Sequence, residues 1–139
     1  MNTAFEIDIR RTVKGAAVLP YAAIARHILG PHYALSLTLC GDDLARRMYH
    51  SYRKSRLAHE PERGKTYASN VLSFPYTQHE GEIFLNVRKA EREARQMGTS
   101  VRKRTALLFV HGCLHLKGHL HGSTMESLER AALRKFDLL

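Results

Sequence analysis

Ser100 to Gly118 reads SVRKRTALLFVHGCLHLKG, and the way this stretch folds decides how the rest of the chain is arranged. Leu107, Val110 and Leu114 recur at helical spacing, with Leu108 and Leu116 beside them. A serine suited to an N-cap precedes the run and a glycine suited to a helix stop follows it. So apolar a segment predicts the central, buried helix, ending at Gly118.

Working outward, STMESLERAALRKF (123–136) opens with a capping-box-like Ser123-x-x-Glu126 and predicts an amphipathic helix over Met125, Leu128, Ala132 and Phe136. Upstream, RKAEREARQMG (88–98) is a charged helix ended by Gly98. NVLSFPY (70–76) and EGEIFLNV (80–87) read as two strands joined by a short polar turn at 77–80. YALSLTLC (33–40) alternates Leu35, Leu37 and Leu39 on one side, and Gly41-Asp42-Asp43 punctuates it before the helix LARRMYHSYR (44–53). AFEIDIRRT (4–12) alternates Phe5, Ile7 and Ile9, and Pro20 then opens the short helix YAAIARHIL, closed by Gly30-Pro31. Residues 54–68, KSRLAHEPERGKTYA, form the longest loop, broken by Pro61 and Gly64. The order βαβαββααα predicts an α/β (α+β) fold, a small mixed four-stranded sheet layered with about five helices, in one domain spanning 1–139.

The 139 residues carry 22 Lys+Arg against 13 Asp+Glu, a net charge of +9 that attracts polyanions. Basic proteomes also produce such charge, so it puts a nucleic-acid partner only at about even odds. Cys40 and Cys113 sit in apolar surroundings and form no C-x-x-C pair, which suits buried thiols in a reducing compartment. MNTAFEIDIRR lacks a signal peptide's apolar core, and no run approaches the roughly 18 apolar residues of a membrane span. The expectation is a cytoplasmic protein without a membrane partner.

Chemistry concentrates in His111 to His121, HGCLHLKGHLH. On a helix His111 and His115 lie on one face, one turn apart, a spacing that can hold one divalent cation. Gly118 ends the helix and lets the chain turn back, so His121 can approach the same point and leave a fourth position open. The expected metal site thus lies at the end of the central helix. Cys113 falls about 200° around from His111 and belongs to the core. His119 is either a substitute ligand or a side chain that faces solvent or substrate. The pattern parallels the zinc-protease H-E-x-x-H-x-x-G-x-x-H, but Gly112 stands where that chemistry needs its glutamate base.

HGCLHLKGHLH resembles the H-G-x-L-H-L-x-G-Y-D-H signature of the YbeY family, bacterial metal-dependent endoribonucleases implicated in rRNA maturation and ribosome quality control. NVLSFP (70–75) is similar to that family's T-[DN]-V-L-S-F-P segment, Gly81-Glu82-Ile83 to its G-D-I, and Tyr52-Arg53 to the Y-R before its loop. The resemblance runs in order from about Leu39 to the C-terminus. It implies one divalent, zinc-type ion on His111, His115 and His121, with Arg53 contacting the phosphate and Ser73 beside the active-site cleft. The substrate implied is single-stranded RNA, an rRNA precursor, with the ribosome or its small-subunit proteins as partners and no DNA. Two departures stand out: His119-Leu120 replaces the family's Tyr-Asp, removing a carboxylate, and the loop from Arg53 to Asn70 is longer. Glu82, Glu126 and Glu129 are other carboxylates, and the sequence brings none of them to the metal. Two rival readings stay open, a metallohydrolase of a non-RNA substrate and a ribosome-associated RNA-binding protein with a structural metal.

Overall fold

The computed structural model describes residues 4–56, 64 and 66–139, and the side chains of residues 53–56 are not part of that description. Among the described residues four strands and five helices follow in the expected order: β1 (Glu6–Arg11), α1 (Tyr21–Leu29), β2 (Ala34–Cys40), α2 (Asp42–Arg56), β3 (Val71–Thr77), β4 (Glu80–Asn86), α3 (Val87–Met97), α4 (Val101–Leu116) and α5 (Ser123–Lys135). The strands form one mixed sheet in the order β1-β2-β4-β3. β1 and β4 run parallel to β2, while β3 pairs antiparallel with β4 through a tight turn at Gln78-His79. Parallel neighbours need a crossover and antiparallel ones only a turn, so the chain order itself dictates this mixture. Pro75 is tolerated because β3 is an edge strand, and the register shifts between Pro75 and Thr77.

Alternation along the two central strands divides the apolar side chains between two faces. Leu35, Leu37, Leu39, Ile83 and Leu85 join Ile24 of α1, Ala90 of α3, Phe109 and Val110 of α4, and Met125 and Leu133 of α5 in the main core. Cys40 and Phe84 face the other way, under Ala45, Leu44 and Met48 of α2. Helix α4 is the centre of the larger layer, packing on β3 and β4 and against α1, α3 and α5. Its buried side chains occur on nearly every side, from Thr105 through Leu116, as its apolar composition requires.

The termini of these helices refine the sequence reading. Ser100 caps α4 by accepting from the Lys103 amide, as expected, and Gly98 closes α3 in a left-handed conformation. Helix α2 begins at Asp42 and runs to Arg56, so the acidic pair lies inside its first turn. The expected capping box of α5 does not form: Gly122 is the N-cap, Ser123 is already helical, and no side chain caps that end. Leu128 is also not on the buried stripe of α5, where Met125, Ala132 and Leu133 sit; it is 36% exposed. The long loop expected at 54–68 falls largely outside the described residues.

Candidate metal centre and its cleft

The C-terminus of α4 builds the site. Gly118, with φ of 101°, donates its amide to the His115 carbonyl at 3.0 Å, and the His119 amide donates to the Leu114 carbonyl at 3.0 Å. These two bonds form a Schellman motif, which reverses the chain through a conformation that favours glycine. The reversal returns His121 toward the helix it has just left. His111, His115 and His121 then each offer a ring nitrogen, all within 4.8 Å of one another.

Two of the three imidazoles are held from behind. His111 Nδ1 meets Glu129 Oε2 of α5 at 2.5 Å, and His115 Nδ1 meets the His119 carbonyl at 3.0 Å. A carbonyl or an ionised carboxylate only accepts, so each Nδ1 carries the ring hydrogen. Both Nε2 atoms are thereby left as lone pairs, and they face one another at 2.9 Å. Two lone pairs directed at one point repel unless a proton or a cation lies between them. A third neutral imidazole makes the set suited to a divalent, zinc-type ion, and fixing the remote nitrogen is how metal-binding histidines are oriented. Burial, followed by electrostatic repulsion from the neighbouring His111 and His121 rings, holds the His115 pKa below its ordinary value, which favours the neutral, ligating form.

The histidines open onto a cleft of about 800 Å³. Its lining includes Tyr49, Tyr52 and Tyr67, together with Arg104, Leu107, Leu108, His111 and His115 of α4. Tyr49 and Tyr67 meet edge to face at 4.8 Å, and Lys89 Nζ lies 4.5 Å above the Tyr67 ring.

The other expected residues stand in different relations to the three histidines. Ser73 lines the cleft, but its hydroxyl donates to the Gly112 carbonyl at 2.9 Å and ties β3 to α4. His119 acts through its backbone carbonyl, and its imidazole is not among the clustered ligands. Leu120 reaches the cleft and is 81% exposed. Arg53 lies on α2, and its side chain is outside the described residues. Cys113 is fully buried, as its angular position on α4 requires, and burial raises its thiol pKa strongly. Glu129 was only one of three unplaced carboxylates in the sequence. Of the other two, Glu82 accepts from the Tyr76 hydroxyl and Glu126 is exposed in the first turn of α5.

Known proteins share this sequence pattern and fold. The family model described as Endoribonuclease YbeY matches residues 6–137. A protein named Endoribonuclease YbeY from Pseudomonas putida strain F1 is 32% identical, over 92% of this chain and 87% of that protein. Its namesake from Pseudomonas entomophila is 33% identical over the same shares. A solution structure of a Thermotoga maritima protein superposes with a TM-score of 0.66 at 19% identity, covering 94% of this chain and 88% of that one, a likeness of fold.

Proposed function

The chain belongs to the YbeY endoribonuclease family, and from that premise we propose that it is a metal-dependent endoribonuclease acting on single-stranded RNA. We place its work in the cytoplasm, in rRNA maturation and ribosome quality control, with precursor rRNA as substrate and the ribosome as partner. The net charge of +9 supports a polyanionic substrate. The observation that carries the metal dependence is the pair of facing Nε2 lone pairs of His111 and His115 at the edge of an open cleft.

In this reading His111, His115 and His121 hold the ion, for which zinc best suits a three-imidazole donor set. A divalent ion held by these three histidines would supply Lewis acidity and would activate water for attack on phosphorus. The protein's own groups do the rest. Glu129 and the His119 carbonyl keep the Nδ1 protons on the far side of their rings, so that Nε2 stays a donor to the cation. Tyr52 and Tyr67, half-buried in the cleft lining, offer ring surface to unpaired bases, which a closed duplex would not present. Arg53 would meet the charge that builds on the phosphate, as a guanidinium fork does for phosphoryl oxygens. Ser73 ties β3 to α4 through its bond to the Gly112 carbonyl and borders the cleft where the RNA would lie. No carboxylate base is required at position 112 for this chemistry, since charge neutralisation carries much of phosphoryl-transfer catalysis.

Metal analysis of the pure protein, with RNA cleavage by wild type, Arg53→Glu and His115→Ala, tests the reading. The expected result is bound metal in wild type and cleavage lost by at least a hundredfold in both variants. Folded variants that cleave as wild type does would show the site to be misassigned. Product ends separate two routes: a 3′-hydroxyl requires attack by water, and a 2′,3′-cyclic phosphate requires attack by the RNA's own 2′-hydroxyl.

A further inference from the structure

Arg104 stands on α4 seven residues before His111, two turns away on the same face, and both line the cleft. Its side chain is only 14% exposed. It is held from one side: Nε and Nη2 donate to Glu93 Oε1 of α3 at 3.1 and 2.9 Å. Asn70, also in the cleft, donates to both Glu93 oxygens at 3.4 and 3.3 Å, so the carboxylate is shared. Among the described residues nothing engages Nη1, so the fork keeps donors for another acceptor.

A half-buried ion pair is a weak device for stability, because desolvation offsets much of its attraction. The same pair is a good device for holding a guanidinium still beside a cleft. We propose that Arg104 is a second phosphate-binding group, which takes a neighbouring phosphate of the RNA strand whose scissile phosphate lies at the histidine cluster. This rests on the RNA-cleaving reading above and adds a subsite to it. Seven residues of helix advance about 10 Å along α4, a step that an extended strand covers in a nucleotide or two. Because the Glu93 pair already fixes the fork, little side-chain freedom is lost when phosphate binds. Leu107 and Leu108 lie between the two positions and offer only apolar surface, so the strand is gripped at two separated points.

The test uses the full chain with a chelator present, so that binding of a short single-stranded RNA is measured without turnover. Wild type, Arg104→Gln and Glu93→Gln are compared across a salt series. Both substitutions break the same ion pair, so both should lose similar thermal stability. Their binding should diverge. Arg104→Gln is expected to weaken RNA binding roughly tenfold and to lower the salt slope by about one. Glu93→Gln, which keeps the guanidinium and removes its counter-charge, is expected to bind as wild type does or more tightly. In cleavage assays Arg104→Gln should raise KM and leave kcat nearly unchanged. Equal weakening in the two variants, or wild-type binding by Arg104→Gln, overturns the proposal. Should Arg104→Gln fail to fold, Arg104→Lys keeps a charge but not the fork, and binding at wild-type strength by it likewise overturns the proposal. If wild type cleaves RNA while the variants fail these expectations, only the subsite is lost. If wild type neither binds nor cleaves RNA, the proposed function itself falls.

Discussion

Glu129 holds His111 by a single contact, so its removal should act on the metal before it acts on the fold. Glu129→Gln keeps an acceptor and loses the charge; Glu129→Ala loses both. Loss of such an outer partner weakens metal binding by about 10- to 100-fold, and the alanine variant should fall further along that range than the glutamine. Competition with a chromophoric chelator measures it, and unaltered affinity in both variants would remove Glu129 from the site. Gly112 raises the opposite question, why a residue is missing. A Cβ there would come within 3.0 Å of Val71 Cγ2, 3.1 Å of Ser73 Oγ and 3.3 Å of Ile83 Cδ1. The position where a zinc protease keeps its glutamate here faces the sheet, and the Ser73 bond to its carbonyl prevents β3 from receding. Alanine's better helix propensity, about 1 kcal/mol, is then outweighed by overpacking of about 1–3 kcal/mol. Gly112→Ala should therefore lower stability by about 1 kcal/mol in chemical denaturation, and a stabilised variant would contradict this packing. The three clustered histidines were legible because helical spacing and a helix-ending glycine are local signals. Glu129 was harder to find, although it left a trace: it lies on the same stripe of α5 as Met125 and Ala132, where a carboxylate needs a partner. Placing Leu128 on that stripe, one position away, concealed it.

At the scale of elements, caps and turns join what the sheet separates. Asn86 ends β4 and caps α3 by accepting from the Lys89 amide, while its amide group donates to Asp42 of α2 at 2.9 Å and to the Ser69 carbonyl at 3.2 Å. Arg92 of α3 completes the joint with two bonds to Asp42, at 2.8 and 2.9 Å. The Arg92 hydrogen bonds, with help from Asn86, lower the Asp42 pKa from 3.8 to about 2. A carboxylate whose pKa is lowered by folding stabilises the fold above its unfolded pKa and loses that contribution as pH falls through the folded one. The stabilisation from this joint is therefore complete above about pH 4 and gone near pH 2. Arg92→Gln should begin acid unfolding at higher pH than wild type, with little change at pH 7 beyond loss of the pair itself. Circular dichroism across pH 2–5 reads the shift, and superimposable acid transitions would refute it. The Asp42–Asp43 pair read as punctuation in the sequence because an acidic residue after glycine suits either a cap or a first turn. The contact with Arg92, 50 positions away, belongs to the first turn and to no local pattern.

At the scale of the molecule, the candidate site is a junction of five segments. Helix α2 and the chain before β3 bring tyrosines, α4 brings two histidines and Arg104, the turn after it brings His121, and α5 brings Glu129. A cation that binds this junction and not the unfolded chain must stabilise the whole fold. At a free concentration a hundred times its dissociation constant the gain is about 2.7 kcal/mol, or a rise in Tm of roughly 10 °C for a chain of this length. Zinc addition after exhaustive chelation, followed by thermal melting, should show that rise in wild type and not in His115→Ala; equal melting with and without zinc would count against a bound ion. What sequence alone determined is everything that depends on near neighbours: the order of strands and helices, the central apolar helix, the serine cap, and three histidines that a helix and its stop must bring together. These follow from backbone periodicity and hydrogen bonds spanning a few residues. Only the tertiary structure decided which carboxylate stands behind His111, that Arg104 enters the cleft, and why a side chain at position 112 would crowd the sheet. Those depend on surfaces that meet only when α5, α3 and β3 pack on α4, and packing across distant segments leaves little periodic trace in the chain.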